Sequence, residues 1–205
     1  FGTSSRAQSR PVLVPDPPVA CDACDGWNAP REPFRLFGDT YYVGTAGLSA
    51  VLIATDDGLI LLDGGLPQSA ALIDGSIRAL GFRTEDIRLI VNSHAHYDHA
   101  GGIAALQRVS GARVAASAGG AKAMMRGEPT PDDPQFGFGR AVNAFPPVTS
   151  VTVVNDGEST HRATARTRGA RPSDRMSTAR RPGPERATRR CARPGPPAPP
   201  RPGQP

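Results

Sequence analysis

His94, His96, Asp98 and His99 fall in the six-residue run His94-Ala95-His96-Tyr97-Asp98-His99, which holds three of the chain's four histidines. Imidazole and carboxylate are ligand types that suit zinc, and a catalytic zinc takes three protein ligands and keeps one position for water. Water in that position has its pKa lowered to about 7, which supplies a hydroxide nucleophile at neutral pH. The chemistry indicated is metal-assisted hydrolysis. A lone histidine at a strand end is usually an ordinary polar residue, but three histidines and an aspartate in one short loop form a metal constellation.

These side chains need a strand to deliver them and a helix to turn them. Residues 89–91 are an apolar run that reads as a buried strand, and the motif follows at its end, where α/β sheets place ligands. His94 and His96 are two apart, so both rings leave one face and can share one metal. Asp98 and His99 lie at the turn into the next helix, where they can serve a neighbouring position about 3.5–4 Å away.

Upstream, residues 35–37 pair with 41–43 through Gly38-Asp39, and residues 50–54 pair with 59–62 through Asp56-Asp57-Gly58. Ile60-Leu61-Leu62 is continuous apolar sequence, as expected of a strand buried on both faces, and it breaks at Asp63-Gly64-Gly65. A helical period begins at Ser69, with Ile73, Ile77 and Leu80 on one face and Gly81 as its stop. A second helix from about Ala100 buries Ile103, Leu106 and Val109 and ends at Gly111. A strand at 113–116, a short helix at 121–126, a long loop at 127–147 and a final strand at 148–154 complete an α/β pattern.

Two segments stand outside this grammar. Residues 1–26 carry no period and read as a loose leader, with order beginning near Trp27. Residues 159–205 carry a balance of +10 within a chain of net charge +5, so the rest of the chain is acidic at −5. No Leu, Ile, Val, Phe, Trp or Tyr occurs beyond Val154, and a segment of that composition cannot build a core. It reads as a disordered Arg/Pro-rich tail. Its amino acids are those that a GC-rich gene encodes in a shifted frame, so we expect a frameshift near Ser159.

Cys21 and Cys24 lack the second pair that a zinc ribbon needs, which leaves one disulfide or two idle thiols. No apolar stretch approaches the ~20 residues that span a bilayer, so no membrane partner is expected. The tail lacks aromatics for stacking and any reading module, so nucleic acid is not expected as a partner either.

The run His-x-His-x-Asp-His followed by Ala100-Gly101-Gly102 resembles the metallo-β-lactamase superfamily. The flanks sharpen the likeness to its third β-lactamase subclass: Trp27-Asn28-Ala29-Pro30, Tyr42-Val43-Gly44-Thr45, Leu62-Asp63-Gly64-Gly65-Leu66-Pro67-Gln68 and Asp156-Gly157-Glu158, in that order. The resemblance covers residues 27–158 and implies the amino-terminal half of an αββα sandwich. It further implies a first zinc on His94 and His96, and a second on Asp98 and His99. The activity implied is opening of the β-lactam ring of antibiotics by a zinc-bound hydroxide, with a small-molecule substrate and a place of work in the periplasm. Asp63 would orient the ligand loop, although an Asp before two glycines is as readily a turn former. Phe136 and Phe138 would contact substrate from a loop over the pocket, although two loop aromatics are more often local packing.

The chain also departs from that family. Family members complete each zinc site with a histidine from the carboxy-terminal half, one of them in a Gly-His-Thr-Pro-Gly type segment, and this sequence has no such segment. Its only other histidine, His161, lies in the Arg-rich tail and carries no ligand role. The expectation is therefore a truncated hydrolase with incomplete zinc sites, weak metal binding, impaired turnover and one unsatisfied sheet face. Two alternatives stand beside it: another hydrolase of the same fold, such as a lactonase or thioesterase, and a non-catalytic basic-tailed binding protein.

Overall fold

The computed structural model describes residues 11–159. Seven strands form one sheet in the order β1-β2-β3-β4-β5-β6-β7: Phe34–Phe37, Thr40–Tyr42, Val51–Thr55, Gly58–Leu62, Ile87–Val91, Arg113–Ala116 and Thr152–Val153. The first four meander antiparallel, and β4 through β7 run parallel. The Asp56-Asp57 turn sets the β3–β4 register, with Thr55 opposite Gly58. There the Thr55 hydroxyl donates to the Gly58 carbonyl at 2.8 Å.

Register separates the two faces. Leu52, Leu61, Ile90 and Val114 lie in one row across β3 to β6 and are almost wholly buried under helices α2 (Ser69–Ala79) and α4 (Ile103–Ser110). The neighbouring row, Ile53 and Ile60 with Val51, Leu62 and Val91, points the other way and is only half-buried. The run Ile60-Leu61-Leu62 is thus not covered on both faces among the described residues, as its continuous apolarity had suggested. Helices α2 and α4 cover the first face; on the second, Leu89 and Ala115 are buried while the named residues of β3 and β4 stay half-buried.

The helix expected from about Ala100 is broken in two. Helix α3 spans Tyr97–Ala100, α4 begins at Ile103, and Gly101-Gly102 lies between them. The reason is a close approach of two backbones. Gly64 donates its N–H to the His99 carbonyl at 2.8 Å, and Gly102 donates to the Gly65 carbonyl at 3.2 Å. A Cβ on Gly64 would stand 2.8 Å from the backbone nitrogen of Ile103, so only glycine fits there.

Two other expectations are corrected. The final strand is two residues long, not seven: Val148 is pulled onto helix α5 (Ala118–Arg126), donating to the Met124 carbonyl at 3.0 Å, so the sheet is rejoined only at Thr152. The loop of residues 127–147 contains a 3-10 turn at Phe136–Phe138 and a helical turn α6 at Arg140–Asn143.

Before Trp27 lies a short helix α1, Cys24–Trp27, and a disulfide joins Cys21 to Cys24. Residues 11–23 carry no helix or strand, yet they are tied to the body. Asp16 pairs with Arg108 at 2.9 Å, and Val19 exchanges two hydrogen bonds with the Gln68 amide. The expected tail lies outside the described residues apart from Ser159, and so does His161.

Candidate metal centre

Asp63 follows strand β4 in the left-handed region, at φ 60°, a conformation that aspartate tolerates better than most side chains but that still favours glycine. Four hydrogen bonds hold it there. Asn92 Nδ2 and the Ser93 N–H donate to Oδ1 at 3.1 and 2.8 Å, and the Ser93 hydroxyl and His99 Nδ1 donate to Oδ2 at 2.6 and 3.0 Å. A carboxylate accepting two donors on each oxygen is a built feature of the loop rather than a turn former alone. Burial works against its charge, but the bonds from His99 and Ser93 outweigh burial and hold its carboxyl below the usual range.

These bonds also assign protons. The Ser93 hydroxyl gives its hydrogen to Asp63, so at its 3.1 Å contact with His94 Nδ1 it can only accept. His94 then carries its proton on Nδ1 and leaves Nε2 with the lone pair. His99 donates from Nδ1 to Asp63, which leaves its Nε2, 3.7 Å from Asp98 Oδ2, as the other free nitrogen.

His94, His96 and Asp98 each offer a ligand atom, and these atoms lie within 4.8 Å of one another. His94 meets His96 edge to face at 4.8 Å between ring centroids and lies 4.0 Å from the His99 ring. Burial, with the neighbouring His99 and His96, pushes the His94 imidazole below its ordinary pKa. The bond to Asp63 raises that of His99. Converging imidazole nitrogens beside a carboxylate are a donor set that suits a cation. All four residues of the sequence motif therefore meet, with His94, His96 and Asp98 as the tightest group and His99 leaning towards Asp63.

A pocket of about 260 Å³ opens beside His94 and is lined by Ser93, Ser117, Thr130, Asp132 and Asp133 among others. Phe136 and Phe138 are not among its lining residues. Phe136 borders a separate hollow with Arg126 and Arg140, and Phe138 is 65% exposed, so the structure does not bring these aromatics to the motif. The loop contributes a carboxylate instead: Asp133 Oδ2 lies 2.9 Å from His96 Nε2. Sequence reading had marked this loop by its aromatics and missed Asp133, because a Pro/Asp-rich loop has no period from which to tell which side chain turns inward.

A profile of the metallo-β-lactamase superfamily matches residues 44–174. The solved structure of the Rm3 metallo-β-lactamase is 53% identical over 68% of this chain and 51% of its own, with a TM-score of 0.64. A subclass B3 metallo-β-lactamase from a soil metagenome library is 55% identical over 64% of this chain and 49% of its own, at a TM-score of 0.61. Among characterised proteins, an N-acyl homoserine lactonase of Bacillus cereus is 32% identical over 25% of this chain and 30% of its own length. The chain spans about half the length of the solved structures it matches.

Proposed function

The chain belongs to the metallo-β-lactamase superfamily, and from that premise we propose that it is a zinc-dependent hydrolase whose substrates are β-lactams. The observation that carries this reading is the convergence of His94, His96 and Asp98 ligand atoms within 4.8 Å, on a loop whose ring nitrogens are already sorted by hydrogen bonding. Nitrogen and carboxylate oxygen in that number fit zinc by donor type. His94 and His96 are assigned to one ion, and Asp98 and His99 to a second. Zinc bound there supplies Lewis acidity and an activated water at neutral pH. The chain's own residues hold and orient: Asp63 fixes His99 directly and His94 through Ser93, so both rings present Nε2.

The choice of β-lactams rests on solved β-lactamase relatives at 53% and 55% identity. A lactone-opening activity is the second reading, favoured by the Bacillus cereus lactonase. We place the protein's work outside the cytoplasm, a reading supported by the Cys21–Cys24 disulfide, since such bonds persist in oxidising compartments.

Calorimetric zinc titration of the full chain tests the metal centre: a binding heat is expected, and His96→Ala should abolish it. A wild-type chain that takes up no zinc would sink the reading. With zinc in excess, a chromogenic cephalosporin should be opened faster than an N-acyl homoserine lactone, and the reverse order would favour the lactonase.

A further inference from the structure

Of the three clustered imidazoles, Asp63 accounts for two, holding His99 directly and His94 through Ser93. The third, His96, is held by a residue 37 positions along the chain: its Nε2 meets Asp133 Oδ2 at 2.9 Å. We propose that Asp133 is a positioning residue of the metal centre, fixing the proton of His96 on Nε2 so that Nδ1 is the nitrogen presented to the metal. This rests on the zinc reading above.

The geometry around Asp133 supports a built contact. Its other oxygen, Oδ1, accepts from the Gln135 N–H at 2.8 Å, which orients the carboxylate before His96 is considered. Its own N–H donates to the Thr130 carbonyl at 2.8 Å, and its carbonyl accepts from Phe136 N–H at 3.0 Å. The buried Asn143 amide ties the same segment down by donating to the Gln135 carbonyl at 2.6 Å. A carboxylate so placed has one oxygen committed to its own loop and one aimed at the ring. A carboxylate can only accept, so the contact with Oδ2 requires the proton on His96 Nε2.

Bonding a ligand histidine through its second nitrogen sets both tautomer and ring angle. Asp133 does this from the loop of residues 127–147, not from the sheet. The order of that loop and the quality of the metal site are thereby coupled. Two other roles are chemically distinct: Asp133 as a direct metal ligand, and Asp133 as a placeholder that a metal would displace.

The test uses the full chain, its Asp133→Asn and Asp133→Ala variants, and zinc and cobalt(II) as probes. Long-range proton–nitrogen correlation on the metal-free chain, at a pH where imidazole is neutral, is expected to find His96 protonated on Nε2, with that preference lost in Asp133→Ala. Zinc affinity should fall about 10- to 100-fold in Asp133→Ala. It should fall less in Asp133→Asn, whose single amide oxygen can still accept from Nε2–H once the side chain gives up its bond to the Gln135 N–H. The visible spectrum of the cobalt chain should keep its shape in both variants, since no ligand is lost.

Equal loss in both variants with a changed cobalt spectrum would make Asp133 a ligand and overturn the proposal. Unchanged or tighter zinc binding in Asp133→Ala would make it a placeholder and also overturn it. A His96 protonated on Nδ1 in the wild-type chain overturns it whatever the variants do, including one that fails to fold. Absence of zinc binding by the wild-type chain fails the zinc reading itself. Zinc binding indifferent to residue 133 fails this proposal alone.

Discussion

At the scale of the residue, Asp63 and His99 form the pair whose protonation matters most to the metal-free chain. His99 has its pKa raised above 6.5 by its bond to Asp63, so its stabilising contribution is complete below about pH 6.5 and is lost as pH rises through the raised value. Asp63 has its pKa lowered below 3.8, so its contribution is complete above about pH 3.8 and is lost as pH falls through the lowered value. The pair therefore supports the fold most between about pH 4 and 6.5. Urea unfolding of the metal-free chain across this range should show a maximum there, and Asp63→Asn should flatten it. The same variant should cost about 1–3 kcal/mol near pH 6, the range for removing a charged partner from a buried hydrogen-bonded group. A variant curve that parallels the wild type would show that the pair contributes little.

At the scale of the element, two glycine pairs place the site. Gly64-Gly65 and Gly101-Gly102 allow β4 and the α3–α4 junction to touch backbone to backbone, and this contact brings Asp63 within reach of His99. Gly64→Ala should cost about 1–3 kcal/mol through overpacking against Ile103, with a parallel loss of zinc affinity. Gly75 gives the contrast. It sits in α2 with open space where a Cβ would go, so Gly75→Ala should stabilise by about 0.5–1 kcal/mol and leave zinc binding alone. Thermal unfolding of the two variants checks both signs. The glycines were legible as turn signals, but their role in close approach was not, because the partner backbone lies more than thirty residues away.

At the scale of the molecule, the sheet has two unequal faces. Leu61, wholly buried under the helices, should cost about 2–5 kcal/mol when cut to alanine. Its neighbour Ile60, half-buried on the other face, should cost well under half as much in the same denaturant titration, since less apolar area is removed from burial. Comparable losses would mean that the second face is covered in solution. The segment of residues 11–23 works at this scale as well, tied to Gln68 at the start of α2 and to Arg108 of α4. Its Pro-rich sequence had no periodicity to show this, because its contacts are single side chains rather than a face. No helix among the described residues is long and apolar enough to cross a membrane.

What the sequence determined by itself was local. The 2.0 and 3.6 periods placed six of the seven strands and the longer helices within a few residues, and the spacing of His94, His96, Asp98 and His99 identified the metal loop, because both depend on neighbours a few residues apart. The tertiary structure decided which groups meet across the fold. It showed that Asp63 bonds His99 while bracing His94 through Ser93, that Asp133 rather than Phe136 or Phe138 reaches the cluster, and that among the described residues the apolar strand β4 is buried on one face and half-buried on the other. Each of these depends on where distant segments come to rest, and a hydrogen bond 2.9 Å long between residues 37 apart leaves no periodic trace in the chain.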